Sequence, residues 1–184
     1  MGTLRLTGGA LRSRSVRTPS GRAVRPTPAR VKEALFSILS DRVVDANVLD
    51  LFAGTGALGF EALSRGAAHA TFVEAHRPTA DALRAAARDL GLGERATVVF
   101  APAERAARTV TGRFDLVFAD PPYVQPFPAA AFVALRERGA IDERSLIVYE
   151  HSARRPAPQD PAFRVERTAV YGEVALAFLR VETA

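Results

Sequence analysis

Between residues 47 and 150, short apolar runs alternate with stretches in which apolar positions recur every three or four residues. The runs at 47–52, 70–73, 96–101, 114–119 and 145–150 have strand length and are apolar almost throughout, not at every second position. Strands of that kind belong in a parallel sheet covered on both faces, with the helical stretches as crossovers. Gly66 and Gly91 mark helix ends. Two further apolar stretches, 162–168 and 174–181, have no helix between them and meet near Tyr171-Gly172, which predicts an antiparallel pair closing the sheet. Upstream, Val31, Leu35 and Ile38 form a helical stripe running to about Ser40, with Thr27 suited to the N-cap and Pro28 to the first helical position. Residues 3–24 alternate small, basic and apolar side chains around Gly8-Gly9 and predict a short hairpin or extended arm. The expected fold class is α/β: a mostly parallel seven-stranded sheet with an antiparallel closing hairpin, helices on both faces, and a short N-terminal arm. The expected organisation is an arm over 1–24 and one globular domain over 25–184.

A chain of 184 residues with 48% hydrophobic and 24% charged positions is an ordinary single domain, which excludes disordered and fibrous classes. It has no cysteine, so disulfides, thiol catalysis and cysteine zinc sites are excluded. His69, His76 and His151 are scattered, and no metal is expected. No run is long or apolar enough for a secretory signal or a membrane span, so the expected setting is the cytoplasm, away from membranes. The net charge of +5 is unevenly placed. Residues 1–32 carry eight basic groups and no acid, whereas the remainder has 17 basic and 20 acidic groups. This segment is either a solvated basic tail or an anion-binding arm, with Arg12, Arg14, Arg17, Arg22 and Arg25 as the candidate phosphate contacts.

Gly54-x-Gly56-x-x-Gly59 follows a strand and opens a helix, and Glu74 stands 20 residues beyond Gly54 at the end of the next strand. That is the dinucleotide fingerprint, with Glu74 placed to take ribose hydroxyls. Asp50, four residues before Gly54, argues against a pyrophosphate. A buried carboxylate there is costly without a positive partner. S-adenosylmethionine has an ammonium, a sulfonium and no phosphate, and so supplies that partner. The competing readings are a nicotinamide oxidoreductase, or simply a packed strand-to-helix turn capped by Asp50.

Asp120-Pro121-Pro122-Tyr123 follows an apolar strand directly and so projects from the sheet's carboxyl edge. It is either a rigid proline turn or a base-binding loop. An exocyclic amine on a nucleobase is a poor nucleophile, because its lone pair is delocalised into the ring. Two acceptors on its hydrogens turn that lone pair toward an electrophile, and the Asp120 carboxylate and Pro121 carbonyl suit the task. Tyr123 offers a stacking face worth about 1–3 kcal/mol. Catalysis would then rest on positioning and on the negative charge of Asp120, with no covalent intermediate.

With these residues in view, the chain resembles the bacterial small-subunit rRNA guanine-N2 methyltransferases that modify guanine 966, the RsmD group. The similarity runs through residues 5–9, 25–27, 30–36, 48–56 and 62–67, then Glu74, 114–117, the Asp120 tetrapeptide, Glu150-His151 and Tyr171-Gly172. The glycine and tetrapeptide motifs mark amino-methyltransferases in general, and the N-terminal segment marks the group. The resemblance implies the class I S-adenosylmethionine-dependent methyltransferase fold, with Asp50, Gly54 and Gly56 around the cofactor and Glu74 on its ribose. It implies a guanine held by Asp120, Pro121 and Tyr123, with Pro122 beside it. It also implies 16S rRNA as the partner, within an assembled or partly assembled small subunit, and a monomeric enzyme. Two positions depart from the group: Ala29 stands where an acid is common, and Ala101-Pro102-Ala103-Glu104 stands where a polar residue commonly meets the adenine. Ala103 and Glu104 are the candidates for that contact. The functions left in competition are adenine N6 methylation, nicotinamide-dependent oxidoreduction, and a non-catalytic RNA-binding assembly factor.

Overall fold

The sheet is wound outward from its middle. In the computed structural model, which describes residues 2–18, 28–122 and 126–182, the central strand β3 (Asn47–Asp50) lies between β4 (His69–Glu74) and β6 (Leu116–Ala119). β5 (Ala96–Phe100) continues outward past β4, and β7 (Leu146–Ser152) past β6, all in parallel. β9 (Val174–Val181) then runs antiparallel to β7, and β8 (Phe163–Tyr171) antiparallel to β9. The result is a seven-stranded sheet among the described residues, in the order β5-β4-β3-β6-β7-β9-β8.

Neighbouring residues of each strand enter opposite cores. Val48, Phe72, Leu116, Phe118, Val148 and Phe178 pack on one face beneath α1 (Ala29–Leu39), α2 (Ala57–Ser64) and α3 (Arg77–Asp89). Leu49, Val73, Val117, Ile147 and Leu179 face the other side, where α4 (Ala103–Ala107) and α5 (Ala129–Glu137) cover them. Burial on both faces is what the unbroken apolar strands require.

The N-terminal segment is a hairpin of β1 (Gly2–Arg5) and β2 (Ser15–Thr18), paired with Leu4 opposite Val16. Leu4, Leu6 and Val16 are buried in the first core, so these residues are not a solvated tail. At the turn, Gly9 has φ +74°, and a Cβ there would collide with the Ser64 carbonyl oxygen of α2. A residue with a side chain could neither take this conformation cheaply nor fit the space.

Several boundaries differ from the sequence expectation, β3 ending at Asp50 and β7 running to Ser152 among them, and three carry a local lesson. Helix α1 begins at Ala29, with Pro28 one step outside it as the N-cap residue and its carbonyl accepting from Val31 and Lys32. Thr27 lies outside the described residues. β6 starts at Leu116, because Phe114 N donates to Ala140 O and Asp115 receives the Asn47 amide at 2.8 Å. β8 extends to Tyr171 as the partner of β9 along its whole length, with a bulge between Val165 and Arg167.

Candidate active site

After β3 the chain crosses to β4 on one side of the sheet, and it later returns to β6 on the other. A crevice forms above the carboxyl ends of strands at such a reversal, and acids gather there. Asp50 ends β3, Glu74 ends β4, Asp120 follows β6, and Glu150 lies near the carboxyl end of β7. Asp50 is level with Phe118, and Ala119 with Tyr149, so Asp120 comes beside Glu150 one step further on.

Asp50 is 2% exposed, and its Oδ2 accepts the Gly59 amide at 3.0 Å, within the first turn of α2. Burial pushes its carboxyl up to about 7, the Gly59 hydrogen bond opposes that rise, and the Glu74 charge adds to it. Asp50 thus does cap the turn, yet one amide does not restore its ordinary acidity. Glu74 bridges the loop: Oε2 accepts from Gly54 N at 2.9 Å and Oε1 from His76 N at 2.7 Å. Burial also raises the Asp120 carboxyl well above its usual range, and the charges of Glu150 and Asp50 raise it further. The site is an edge of crowded carboxylates, and burial with neighbouring negative charge raises Asp50 and Asp120 among them.

The glycine turn owes much of its sequence to packing. Gly56 has φ +77°, and a Cβ on it would press into Phe60 and Leu83. A Cβ on Gly59 would press into the Phe72 ring. Close packing of α2 on the sheet at Gly59, and of the turn on Phe60 and Leu83 at Gly56, therefore favours these two glycines, whatever lies above the turn.

Ala103 is buried as the first residue of α4 and Glu104 is exposed beside it, a short step along the chain from the end of β5. Pro121 is buried and Pro122 exposed at the end of β6. Arg12, Arg14 and Arg17 project from the hairpin. Arg14 reaches the Asp89 carbonyl at the end of α3 at 3.3 Å. Arg17 lines a shallow crevice with Gly54, Thr55, Thr79 and Leu83, which brings the arm to the border of the glycine turn. Tyr123, Arg22 and Arg25 lie outside the described residues.

Sequence reasoning missed the anchor of the arm. Glu61 of α2 is fully buried and accepts from Thr7 N at 3.0 Å, Thr7 Oγ1 at 2.8 Å and Arg65 Nε at 2.9 Å, while Lys32 Nζ stands 3.0 Å away. Lys32 also donates to the Arg5 carbonyl at 2.9 Å, and Ser64 Oγ to the Gly8 carbonyl at 2.6 Å. Burial alone would raise Glu61; the Thr7 amide, the Lys32 charge, the Thr7 hydroxyl and Arg65 outweigh it and hold the carboxyl below its ordinary value. One signal was available: residues 57–64, Ala-Leu-Gly-Phe-Glu-Ala-Leu-Ser, are apolar all round, so the single acid among them had to be buried and paired.

A sheet of this order, with a glycine turn and acids at its reversal point, is that of a class I methyltransferase. The fold recurs in the SAH-bound methyltransferase PaMTH1 of Podospora anserina, with a TM-score of 0.67 at 16% identity, covering 86% of this chain and 80% of that one. The model of the family described as "Conserved hypothetical protein 95" matches residues 4–180, and the chain belongs to that family. Ribosomal RNA small subunit methyltransferase D of Escherichia coli (strain K12) is 37% identical over 175 residues, which is 95% of this chain and 88% of that protein. The solved structure of yhhF from Escherichia coli superposes with a TM-score of 0.87 at 36% identity, over 98% of this chain and 99% of that one.

Proposed function

We propose that this protein transfers a methyl group from S-adenosylmethionine to the exocyclic N2 amine of a guanine in small-subunit rRNA. The observation that carries the reading is the position of Asp120-Pro121-Pro122 at the carboxyl end of β6, one strand from the glycine turn after β3. The relatedness to Ribosomal RNA small subunit methyltransferase D supports the substrate class.

The donor set fits a cationic cofactor. Asp50 is buried with its carboxyl near 7, and the charges pressing on it and on Asp120 are those of Glu74 and Glu150. A sulfonium and an ammonium relieve that repulsion, and a pyrophosphate would worsen it. When bound, S-adenosylmethionine supplies an electrophilic methyl on positive sulfur. Asp50, Gly54 and Gly56 hold it, Glu74 takes the ribose hydroxyls, and Ala103 and Glu104 border the adenine.

Asp120 and the Pro121 carbonyl accept the two amine hydrogens and so direct the nitrogen lone pair outward. Tyr123 stacks on the base and Pro122 flanks it. The ionised Asp120 opposes the positive charge that develops on nitrogen. Arg12, Arg14, Arg17, Arg22 and Arg25 hold phosphates, the only large anions RNA offers. The target base has to be unstacked and turned out, which is easiest in a loop of already fixed shape. That favours an assembled or partly assembled small subunit, met in the cytoplasm by a single copy of the chain.

The test is to incubate the protein with labelled S-adenosylmethionine and small subunits, naked 16S rRNA or duplex DNA, and to map the methylated base. Label on a guanine N2 of small-subunit RNA is expected. Asp120→Ala is expected to abolish transfer and to retain cofactor binding. Label on adenine N6 would move the chain to that class, and no transfer to any ribosomal substrate would sink the proposal.

A further inference from the structure

Arg77, Arg84 and Arg88 lie in a row along α3. On a helix of about 3.6 residues per turn they fall within about 40° of one another, over an axial length of about 16 Å. The row stands on the β5 side of the helix. Arg84 Nη2 donates to the Val98 carbonyl at 3.1 Å, and the Arg77 guanidinium lies over the Phe100 ring, 5.8 Å from its centroid. Phe100 is 46% exposed and pairs in register with Glu74, so this end of the row reaches the carboxyl edge of the sheet. The hairpin lies along the other side of α3. Arg14 reaches the carbonyl of Asp89, the last residue of the helix, and Arg17 lines its crevice with Thr79, Ala82, Leu83 and Ala86.

A charged helix face is ordinarily a solvated one, its cations answered by acids three or four residues away. This face differs in two respects. Asp81 alone answers the row: it accepts from Arg84 at 2.7 Å and stands 3.9 Å from Arg77, while Arg88 has no ion pair among the described residues. The hairpin and α3 together carry seven arginines against two acids, Asp81 and Asp89, whereas the chain beyond residue 32 has 17 basic and 20 acidic groups. The arginines are also held in place. The Phe100 ring supports Arg77 and the Val98 carbonyl fixes Arg84, and a guanidinium fixed in advance loses less freedom when it meets an anion. Between this row and the hairpin, the outward positions of α3 include Pro78, Ala82 and Ala85, none of which raises a long side chain.

The outer face of α3 is thus a strip of short side chains between two rows of guanidinium groups. A guanidinium matches a phosphate with two parallel hydrogen bonds, and an RNA backbone presents phosphates in a row. Resting on the function proposed above, we infer that this strip is a second seat for the small-subunit rRNA, whose backbone lies along α3 between the hairpin arginines and Arg77, Arg84 and Arg88. Contacts of this kind carry no sequence information; they set where the RNA lies on the protein. β4 and β3 separate β5 from β6, a distance of three strand spacings or about 14 Å. RNA gripped on α3 is therefore positioned from outside the cofactor crevice, and Asp120-Pro121-Pro122 stays free for the base.

The test uses small subunits or naked 16S rRNA, whichever the parent chain methylates, with binding measured by filter retention over a range of salt. The double variant Arg77→Gln/Arg88→Gln removes two exposed charges of the row and keeps Arg84, which is bonded to the sheet. The double variant Arg42→Gln/Arg144→Gln removes two exposed charges that precede β3 and β7 and so stand at the opposite, amino edge. The first is expected to flatten the slope of log affinity against log salt by about 0.7 to 0.9 for each phosphate no longer neutralised. It is also expected to raise KM for the RNA with kcat unchanged. The second is expected to keep the parent's slope and KM. Thermal unfolding, and cofactor affinity without RNA, are expected to match the parent in both. A parental slope and KM in the first variant, equal flattening in the two variants, or a loss of cofactor affinity in the first overturns this inference and leaves the proposed function standing. No methyl transfer by the parent chain overturns the proposed function and this inference with it.

Discussion

Lys32 Nζ lies 3.0 Å from Glu61 Oε2, and the two side chains are 3% and 0% exposed. This pair ties α1 to α2, and through Thr7 and the Arg5 carbonyl it ties both to the hairpin. Removing Glu61 leaves Lys32 buried without a counter-charge, at a cost of about 3 to 5 kcal/mol, whereas removing Lys32 leaves Glu61 paired with Arg65 at 2.9 Å. Glu61→Gln is expected to lose stability on that scale, Lys32→Met less, and the double variant less than the sum of the two. Denaturant unfolding of the three variants yields the coupling, and simple additivity would show that the two residues act independently.

Gly9→Ala and Gly93→Ala separate backbone strain and contact from mere composition. Gly9 has φ +74° and faces the Ser64 carbonyl, whereas a Cβ on Gly93 meets nothing within 4 Å. Gly9→Ala is expected to cost more than about 1 kcal/mol and to expose the hairpin to protease, since it combines a steric clash with a disfavoured φ. Gly93→Ala is expected to change little. Limited proteolysis with thermal unfolding checks both.

Cofactor affinity is expected to depend on pH through Asp50. Its carboxyl is raised to about 7, and a cationic ligand pairs with the ionised form. Below that value the unliganded protein holds a proton that must leave on binding. Affinity therefore falls as pH drops, by up to about tenfold per unit for one proton. Asp50→Asn keeps an acceptor for the Gly59 amide and removes the titration, so its profile is expected to be shallower by one proton. Calorimetry in buffers of different ionisation enthalpy counts that proton directly.

Replacing Arg12, Arg14 and Arg17 together with alanine removes three exposed charges and no buried partner of Glu61. RNA affinity is expected to weaken, and the plot of log affinity against log salt to flatten by about one unit for each phosphate that is no longer neutralised. Cofactor affinity in the absence of RNA is expected to change little. An unaltered salt slope would remove the arginines from the RNA surface. Deleting the whole hairpin is the poorer experiment, because it also takes Leu4, Leu6 and Val16 from the core.

The sheet was legible because its signals are local. A strand buried on both faces is an apolar run wherever it occurs, and Asp50, Gly54, Glu74 and Asp120 each sit at the end of such a run. Their meeting follows from the strand order alone. The Glu61 anchor was not legible in the same way, since Thr7 stands 54 residues away and no short pattern says which hydroxyl or cation will meet a buried acid. The boundaries of β6 and β8 escaped for a related reason. Asp115 leaves its run to clasp Asn47, and the outer half of β8 is held by pairing with β9 although its side chains are largely exposed.

The separation of 54 positions from Thr7 to Glu61 also sets an order of events during synthesis. The hairpin leaves the ribosome well before the helix that anchors it. Until α2 has emerged, Thr7 and Gly8 have nothing to dock on, and the arginines of the hairpin move with a loose chain. Fixed spacing of positive charge arrives only when the glycine turn and its helix are in place. A growing chain therefore meets RNA with diffuse basicity, and only the completed fold can present a shaped surface to it.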